Sequence, residues 1–273
     1  NLELHIDGRT IASTPIIQAR GDTANVSFSY TWQETGDHQL VASLINDRLE
    51  VDNRHYHVAT VRDGLRVLLV EGHPAAETRE RSSHYLRTAL ETVMHPVNRE
   101  PLFSITTTDT IGFADLTAQP FDVIALCNLP ALNANQLSRL QTHLSEGGGL
   151  LLLHGSGLNT ELWSTRLDQL SPDGWPIRLK ENTDRAIPDE DDIWGFLSTE
   201  LTHPVVKPFA GNPGTGLDSA VVWDRVSWSV ESENQIRPVL FFDDGVPAIV
   251  EVLLPRGRCL QMAMPCDAGS GSW

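Results

Sequence analysis

The stretch EGGGLLLLHGSGLNTE, Glu146 to Glu161, places His154 and Ser156 among glycines directly after an apolar run. A serine in that setting has the look of a strand-to-turn elbow that presents a nucleophile. A hydroxyl attacks only when an adjacent base takes its proton, and that base needs a partner to hold its tautomer. His203, in THP, is the only histidine after His154, and Asp189 to Asp192 or Asp243 would have to complete the triad. The Gly-x-Ser-x-Gly hydrolase pattern is not met, because residue 154 is His and residue 158 is Leu. The preferred reading is architectural: Gly155 and Gly157 turn the backbone at positive φ, and Ser156 caps the next segment by bonding a free N–H.

Other reactive side chains stand at the ends of apolar runs. Glu71 and His73 follow RVLLV, Cys127 and Asn128 follow VIAL, and His154 follows LLLL. If those ends converge, a Glu/His pair there could do acid-base work or bind a small polar ligand or a divalent ion. Cys127 lies in an apolar run, where cysteine behaves as a small hydrophobe. Cys259 and Cys266 flank LQMAM, no CxxC or Cys/His ligand spacing occurs, and an odd total of three argues against a disulfide framework. His55 and His57 share a strand face but lack a third metal ligand nearby. The acidic run PDEDDIW lacks the Asp-x-Asp-x-Asp-Gly grammar of a calcium loop and reads as a solvated loop. Five tryptophans between Trp163 and Trp228 read as core rather than as a carbohydrate groove. Neither a metal nor a cofactor is expected.

The elements that would position these groups change character near residue 63. Before it, VSFSYTW (Val26 to Trp32), HQLVASL (His38 to Leu44) and HYHVATV (His55 to Val61) alternate with period two, which predicts half-buried strands and a small antiparallel β-sandwich, or most of one, over residues 1–62. From residue 63 to 273, short continuous apolar runs alternate with helical patterns. The runs are Leu65 to Gly72, Phe103 to Thr108, Phe121 to Asn128 and Gly149 to Gly155, with helices over Ser82 to Val93 and Asn133 to Gly149. Leu137, Leu140 and Leu144 form the apolar stripe of the second helix, Asn133 or Asn135 caps it, and Gly147 ends it. That alternation predicts a parallel α/β sheet, which binds ligands at the carboxyl ends of its strands. Ser171 to Phe196 reads as an acidic excursion, a flap over those ends. Further strands are expected beyond it, with Asp243 to Gly245 as a hairpin turn.

Of the 273 residues, 40% are apolar, and the net charge of -16 divides into -3 for residues 1–62 and -13 for the rest. So acidic a field opposes nucleic-acid and anionic membrane-surface partners. No stretch approaches the roughly 18 to 20 apolar residues of a membrane span. The first residue is not Met, and the chain is expected to be a soluble piece of a longer protein.

Taken in order, RVLLVEG, FDVIALCNLPALNANQLSRLQTHLSEGGGLLLLHG, THPVVKPF and PRGRCLQMAMPCDAGSGSW resemble the class I glutamine amidotransferase-like superfamily, in its trehalose-utilisation-like branch, over residues 65 to 273. RLEVDNRHYHVATV is similar to the end of the immunoglobulin-like module that precedes such a domain in large bacterial membrane-anchored proteins with a von Willebrand A-type domain. The resemblance implies a flavodoxin-like fold behind an immunoglobulin-like sandwich, in a parent protein anchored in the bacterial envelope. Amidotransferases carry a Cys on the elbow with a downstream His and Glu. Here the elbow reads LHGSG, with no Cys within twenty residues and no His-x-Glu pair. The expected function is therefore a non-catalytic domain that binds a small polar ligand or packs with flanking domains of its own chain. The alternative is a hydrolase or isomerase acting on a sugar-like molecule through His154, Glu71 and Ser156.

Overall fold

The computed structural model describes residues 1–16, 23–45, 53–73, 75, 77–95, 99–115, 121–155, 157–180, 193–197, 201–211 and 214–272. Two compact units divide between Asp63 and Gly64. The first is a four-stranded antiparallel sheet in the order β2-β1-β3-β4, from β1 (Leu2–Ile6), β2 (Arg9–Thr14), β3 (Gly36–Leu44) and β4 (Arg54–Val61). Asp7 and Gly8, at φ 49° and 79°, close the β1–β2 hairpin with the two successive left-handed residues that the twist of paired strands favours.

Two expectations for this unit change. Val26 to Trp32 forms no strand, although its alternation is good, because period two supplies faces and not a pairing partner. The described residues build one sheet, so a two-sheet sandwich is not seen among them. His55 and His57 are exposed on β4, the strand at one edge of that sheet.

The second unit is an α/β structure around a mixed, mostly parallel seven-stranded sheet. Its elements are β5 (Leu65–Glu71), α1 (His84–Thr92), β6 (Phe103–Asp109), α2 (Thr110–Asp115), β7 (Val123–Cys127), α3 (Ala134–Ser145), β8 (Gly149–Leu153), α4 (Thr160–Asp168), β9 (Ile177–Leu179), β10 (Trp228–Val230), β11 (Ile236–Phe241), β12 (Pro247–Val252) and β13 (Arg258–Met262). Sheet order is β11-β12-β13-β8-β7-β5-β6. Strands β6, β5, β7, β8 and β13 run parallel; β12 runs antiparallel to β13, and β11, joined to β12 by a turn at Asp243, Asp244 and Gly245, runs antiparallel to β12. Strands β9 and β10 pair separately.

Burial explains the order. Central β5 and β7 are apolar on both faces, and their side chains divide between two clusters. Leu68, Val70, Ile124 and Leu126 pack with Leu137, Leu140 and Leu144 of α3 and with Trp163 and Leu167 of α4. Val67, Leu69, Ala125 and Cys127 face Leu86 and Leu90 of α1. Edge strand β6 has neighbours on one side only and alternates between half-buried and exposed positions. Helix α3 begins with a full capping box: Asn133 Oδ1 accepts from Gln136 N at 2.9 Å, and Gln136 Oε1 accepts from Asn133 N at 2.8 Å. The excursion after residue 170 contributes buried Trp175, Ile177 and Leu179 to the larger cluster, and residues 181–192 of the expected flap lie outside the described residues.

Candidate functional site

Because β5 is flanked by β6 on one side and β7 on the other, the chain changes direction across the sheet at their carboxyl ends. This is the switch point at which open α/β sheets leave a crevice. Asn128, the first residue after β7, stands there at φ 51°, a left-handed conformation that asparagine tolerates better than most residues. Two glycines make room for it. A Cβ on Gly72 would come within 2.1 Å of the Asn128 carbonyl oxygen, and one on Gly155 within 2.8 Å of the Asn128 amide nitrogen. The ends of β5, β7 and β8 therefore close on one asparagine, whose side chain lines a cleft of about 390 Å³ with His73, Glu80, Asp224, Asp267 and Ser270.

Glu71 ends β5 but does not line that cleft. Its carboxylate, 5% exposed, accepts four hydrogen bonds: Oε1 from the N–H groups of His73 and Ser82, both at 3.1 Å, and Oε2 from the N–H of Ser83 at 3.0 Å and its hydroxyl at 2.7 Å. Ser83 is the N-cap of α1, and its hydroxyl donates to Glu71 rather than capping its own helix. The buried carboxylate thus ties the strand end to the helix start, where negative charge is favoured. Its binding capacity is spent inside the protein.

His154 is likewise withdrawn. It is 2% exposed, and its ring meets Trp163 edge-on at 5.1 Å. Trp175 Nε1 donates to Gln261 Oε1 at 2.8 Å, which fixes the orientation of that amide and turns Gln261 Nε2 toward His154 Nε2 at 3.1 Å. An amide nitrogen only donates, so His154 accepts at Nε2 and is neutral, its proton on Nδ1. Burial holds its pKa down to about 3, in keeping with that state. Glu71 and His154 have separate sets of partners, and no hydrogen bond joins them among the described residues. The physical reason is that each end of an apolar strand must satisfy buried polar groups before it can offer any to a ligand.

The remaining candidates also disperse. His203 Nε2 lies 3.3 Å from Glu251 Oε2, which also accepts from Arg237, and His203 Nδ1 accepts from Val205 N; the imidazole braces the THP turn. Asp243 accepts from Gly195 N at 2.9 Å and anchors residues 193–197 to the hairpin turn. Ser156 and Asp189 to Asp192 lie outside the described residues. Gly157 has the expected positive φ of 89°, whereas Gly155 does not, and its small size serves close packing instead. The three cysteines are unpaired. Cys127 and Cys259 are fully buried, Cys266 is partly so, and burial raises all three thiols, Cys266 to about 12. Raised thiols hold almost no thiolate, the reactive form.

The cleft keeps His73 and Asn128, and its other polar side chains, Glu80, Asp224, Asp267 and Ser270, were not predicted. Asp267 is 8% exposed, and its Oδ1 accepts from Gly269 N at 3.0 Å and Ser270 Oγ at 2.7 Å. Its Oδ2 has no hydrogen bond among the described residues. Burial pushes the Asp267 carboxyl up from the usual range. The bonds from Ser270 and Gly269 oppose this, the charge of Asp224 adds to it, and His73 pulls the other way. A sequence signal existed in CDAGS, an Asp two and three residues before small turn formers, which is the signature of a side chain folded onto its own backbone. Asp224 carried no comparable signal. Among the described residues no group of three or more His, Cys, Asp or Glu side chains is placed to hold a metal ion.

The described site is thus a polar crevice at the switch point of an open α/β sheet. No family model and no curated protein matches the chain. Among solved structures, it is similar to Gan42B, a GH42 beta-galactosidase (12% identity, TM-score 0.44), and to a catalytic mutant of Gan42B from G. stearothermophilus (12%, 0.45). Each match covers 75% of this chain and 28% of the enzyme. The exo-beta-1,4-mannosidase Op5Man5 from Opitutaceae bacterium strain TAV5 is similar at 11% identity and TM-score 0.39, over 74% of this chain and 31% of that one. None of these three is an amidotransferase. At these scores the likeness assigns no chemistry to this chain, which spans less than a third of their length.

Proposed function

We propose that the α/β unit is a binding domain for a small polar ligand, which it holds at the carboxyl ends of β5 and β7. The observation that carries this reading is the switch-point cleft lined by Asn128 and Asp267, where the Asn128 side chain and Asp267 Oδ2 have no hydrogen bond among the described residues. Glutamine hydrolysis is disfavoured because every thiol is at least partly buried and is raised. The parallel strand order supports the flavodoxin-like fold that the resemblance implies. On the same resemblance, the parent is a bacterial envelope protein, and the four-stranded sheet belongs to an immunoglobulin-like module that precedes the α/β unit in the chain. No helix among the described residues is long and apolar enough to cross a membrane.

A cleft-filling variant tests the proposal. Ala268 lines the cleft and is exposed, so Ala268→Trp should fold normally and abolish any binding found by calorimetry across a panel of small polyols, amines and amino acids. Ligands that bind the variant as well as the parent chain would place the site elsewhere.

A second reading, acid-base chemistry on a sugar-like molecule, is favoured by one observation. Asp267 is a carboxyl in the cleft that burial, and after it the nearby charge of Asp224, pushes up from the usual range, and a raised carboxyl in a crevice is a candidate for acid-base work. On this reading Asp267 and Asp224 join His154, Glu71 and Ser156 as candidate groups, Ser156 lying outside the described residues. Release of nitrophenol from a panel of nitrophenyl glycosides, lost in Asp267→Asn, would establish it. Absence of release would leave binding alone.

A further inference from the structure

We infer that His38 is a pH-sensitive clasp: as an imidazolium it holds residues 30–35 against the four-stranded sheet, and on losing one proton it lets go of them while keeping its hold on the β1–β2 turn. The inference stands on the β-sheet unit alone and is independent of the cleft in the α/β unit. His38 Nδ1 lies 2.6 Å from Asp7 Oδ2, and its Nε2 lies 3.0 Å from the Glu34 carbonyl oxygen. A carboxylate and a carbonyl only accept, so each contact needs an N–H on the ring. A neutral imidazole has one N–H to give, whereas the imidazolium has two and satisfies both acceptors. Each acceptor belongs to a different part of the unit. Asp7 is tied to β3, since its N–H donates to the Gln39 carbonyl and its Oδ1 accepts from Gln39 N, both at 2.9 Å. Residues 30–35 lead into β3 without helix or strand. Within them Tyr30 meets Trp32 edge-on at 5.1 Å, and the Trp32 ring lies 4.8 Å from the His38 ring, inclined at 33°. A cation beside an aromatic face is attracted to it, so the indole also favours the charged ring.

The charges around the ring act in the same sense. The hydrogen bond to Asp7, and after it the one to the Glu34 carbonyl, raise the His38 pKa above its ordinary 6.5, and the bond to His38 holds Asp7 below its ordinary 3.8. The charge of Glu34 adds to the first effect and that of Arg9, on β2, to the second. On β4, Ala59 stands opposite His38, with His57 and Val61 the next residues on that face. Asp37 belongs to the other face, where it accepts from Thr60 Oγ1 at 2.6 Å. As pH rises, the proton that leaves is the one on Nε2, because the shorter bond to a charged carboxylate holds the proton on Nδ1 more firmly than a neutral carbonyl holds the other. Two lone pairs then face each other at Glu34, and that contact opens. Since the folded pKa lies above the unfolded one, the clasp acts in full below pH 6.5 and is lost as pH rises through the folded value.

The test is an NMR titration of the whole isotope-labelled chain from about pH 5 to about pH 9, reading the His38 ring nitrogens, the Trp32 indole N–H and the Glu34 and Thr35 amides. The ring is expected to titrate with a midpoint above 6.5 and to keep its proton on Nδ1 beyond it, and the Trp32, Glu34 and Thr35 signals are expected to move with the same midpoint. Two variants give opposite results. In Asp7→Asn the carboxamide oxygen still accepts from Gln39 N, and its NH2 turns toward Nδ1, so a neutral ring donates Nε2–H to Glu34. The ring midpoint should fall, and residues 30–35 should stay held across the whole range. His38→Phe keeps a ring beside Trp32 but bonds neither acceptor, so the same signals should sit at their high-pH positions throughout. A His38 midpoint at or below 6.5 would overturn the inference, as would Trp32 and Glu34 signals that do not follow the ring, or signals that move as far in Asp7→Asn as in the parent chain.

Discussion

Glu71→Gln isolates the device that joins β5 to α1. The carboxylate accepts four hydrogen bonds, from three N–H groups and one hydroxyl, while a carboxamide has a single oxygen. With that oxygen in the place of Oε1, the bonds from His73 and Ser82 survive as neutral ones, and the Ser83 hydroxyl can rotate to accept from the new NH2 group. The Ser83 N–H then faces another donor. One orphaned buried N–H costs about 1–3 kcal/mol, and conversion of charge-assisted bonds to neutral ones adds about 1, for an expected loss of about 3 kcal/mol. Urea unfolding followed by tryptophan fluorescence suits the measurement, since six of the seven tryptophans lie in the α/β unit. Glu91→Gln is the control: Glu91 pairs with Arg87 at 2.7 Å on α1, but both side chains are about half exposed, so the loss should stay below about 0.5 kcal/mol. Hydrogen exchange at the Ser82 and Ser83 amides should speed up in Glu71→Gln alone. A stability loss under about 1 kcal/mol, or one equal to that of the control, would refute the anchoring role.

The same geometry sets three further outcomes. Burial holds His154 at about pKa 3 in the folded protein against 6.5 in the unfolded chain, so the unfolded chain takes up this proton first; stability falls as pH drops from 6.5 toward 3, by up to about 5 kcal/mol. Urea titrations of His154→Gln should show a shallower acid slope than the parent, and parallel slopes would refute the assignment. Gly72→Ala forces a Cβ against the Asn128 backbone at 2.1 Å, which neither strand can give way to; it should lower Tm sharply or prevent folding, whereas Gly147→Ala, with open space and only a strained φ of 94°, should cost about 1 kcal/mol. Ellman's reagent should titrate Cys127 and Cys259 only after unfolding, and diazo-oxo-norleucine should leave all three cysteines unmodified. A stoichiometric cysteine adduct on the native protein would restore the amidotransferase reading.

The pattern of elements is legible where it rests on periodicity and caps. The double-sided apolar runs of β5, β7 and β8, the stripe and capping box of α3, and the change of character at residue 63 all depend on near neighbours in the chain. Helix α2 is hard to read because six residues offer too few turns to display a face, and α4 because its apolar stripe is weak beside that of α1, which has the same length. Strands β1 and β2 are short, and only Asp7-Gly8 marks their hairpin, while Val26 to Trp32 misleads because alternation alone does not recruit a partner strand.

The site divides along the same line. Sequence by itself determined that reactive side chains stand at the carboxyl ends of apolar strands, since strand length and turn residues are local properties. Only the tertiary structure decided which of them remain free. Glu71 is consumed by amides eleven and twelve residues away, and His154 by a glutamine 107 residues away that Trp175 holds in place. Asp267, near the other end of the chain, is brought to the same cleft with Oδ2 unbonded among the described residues. Hydrogen-bond demand in a buried region is met by whichever donors the packing delivers, so residue type marks what a side chain can do, and distant contacts settle what it has left to do.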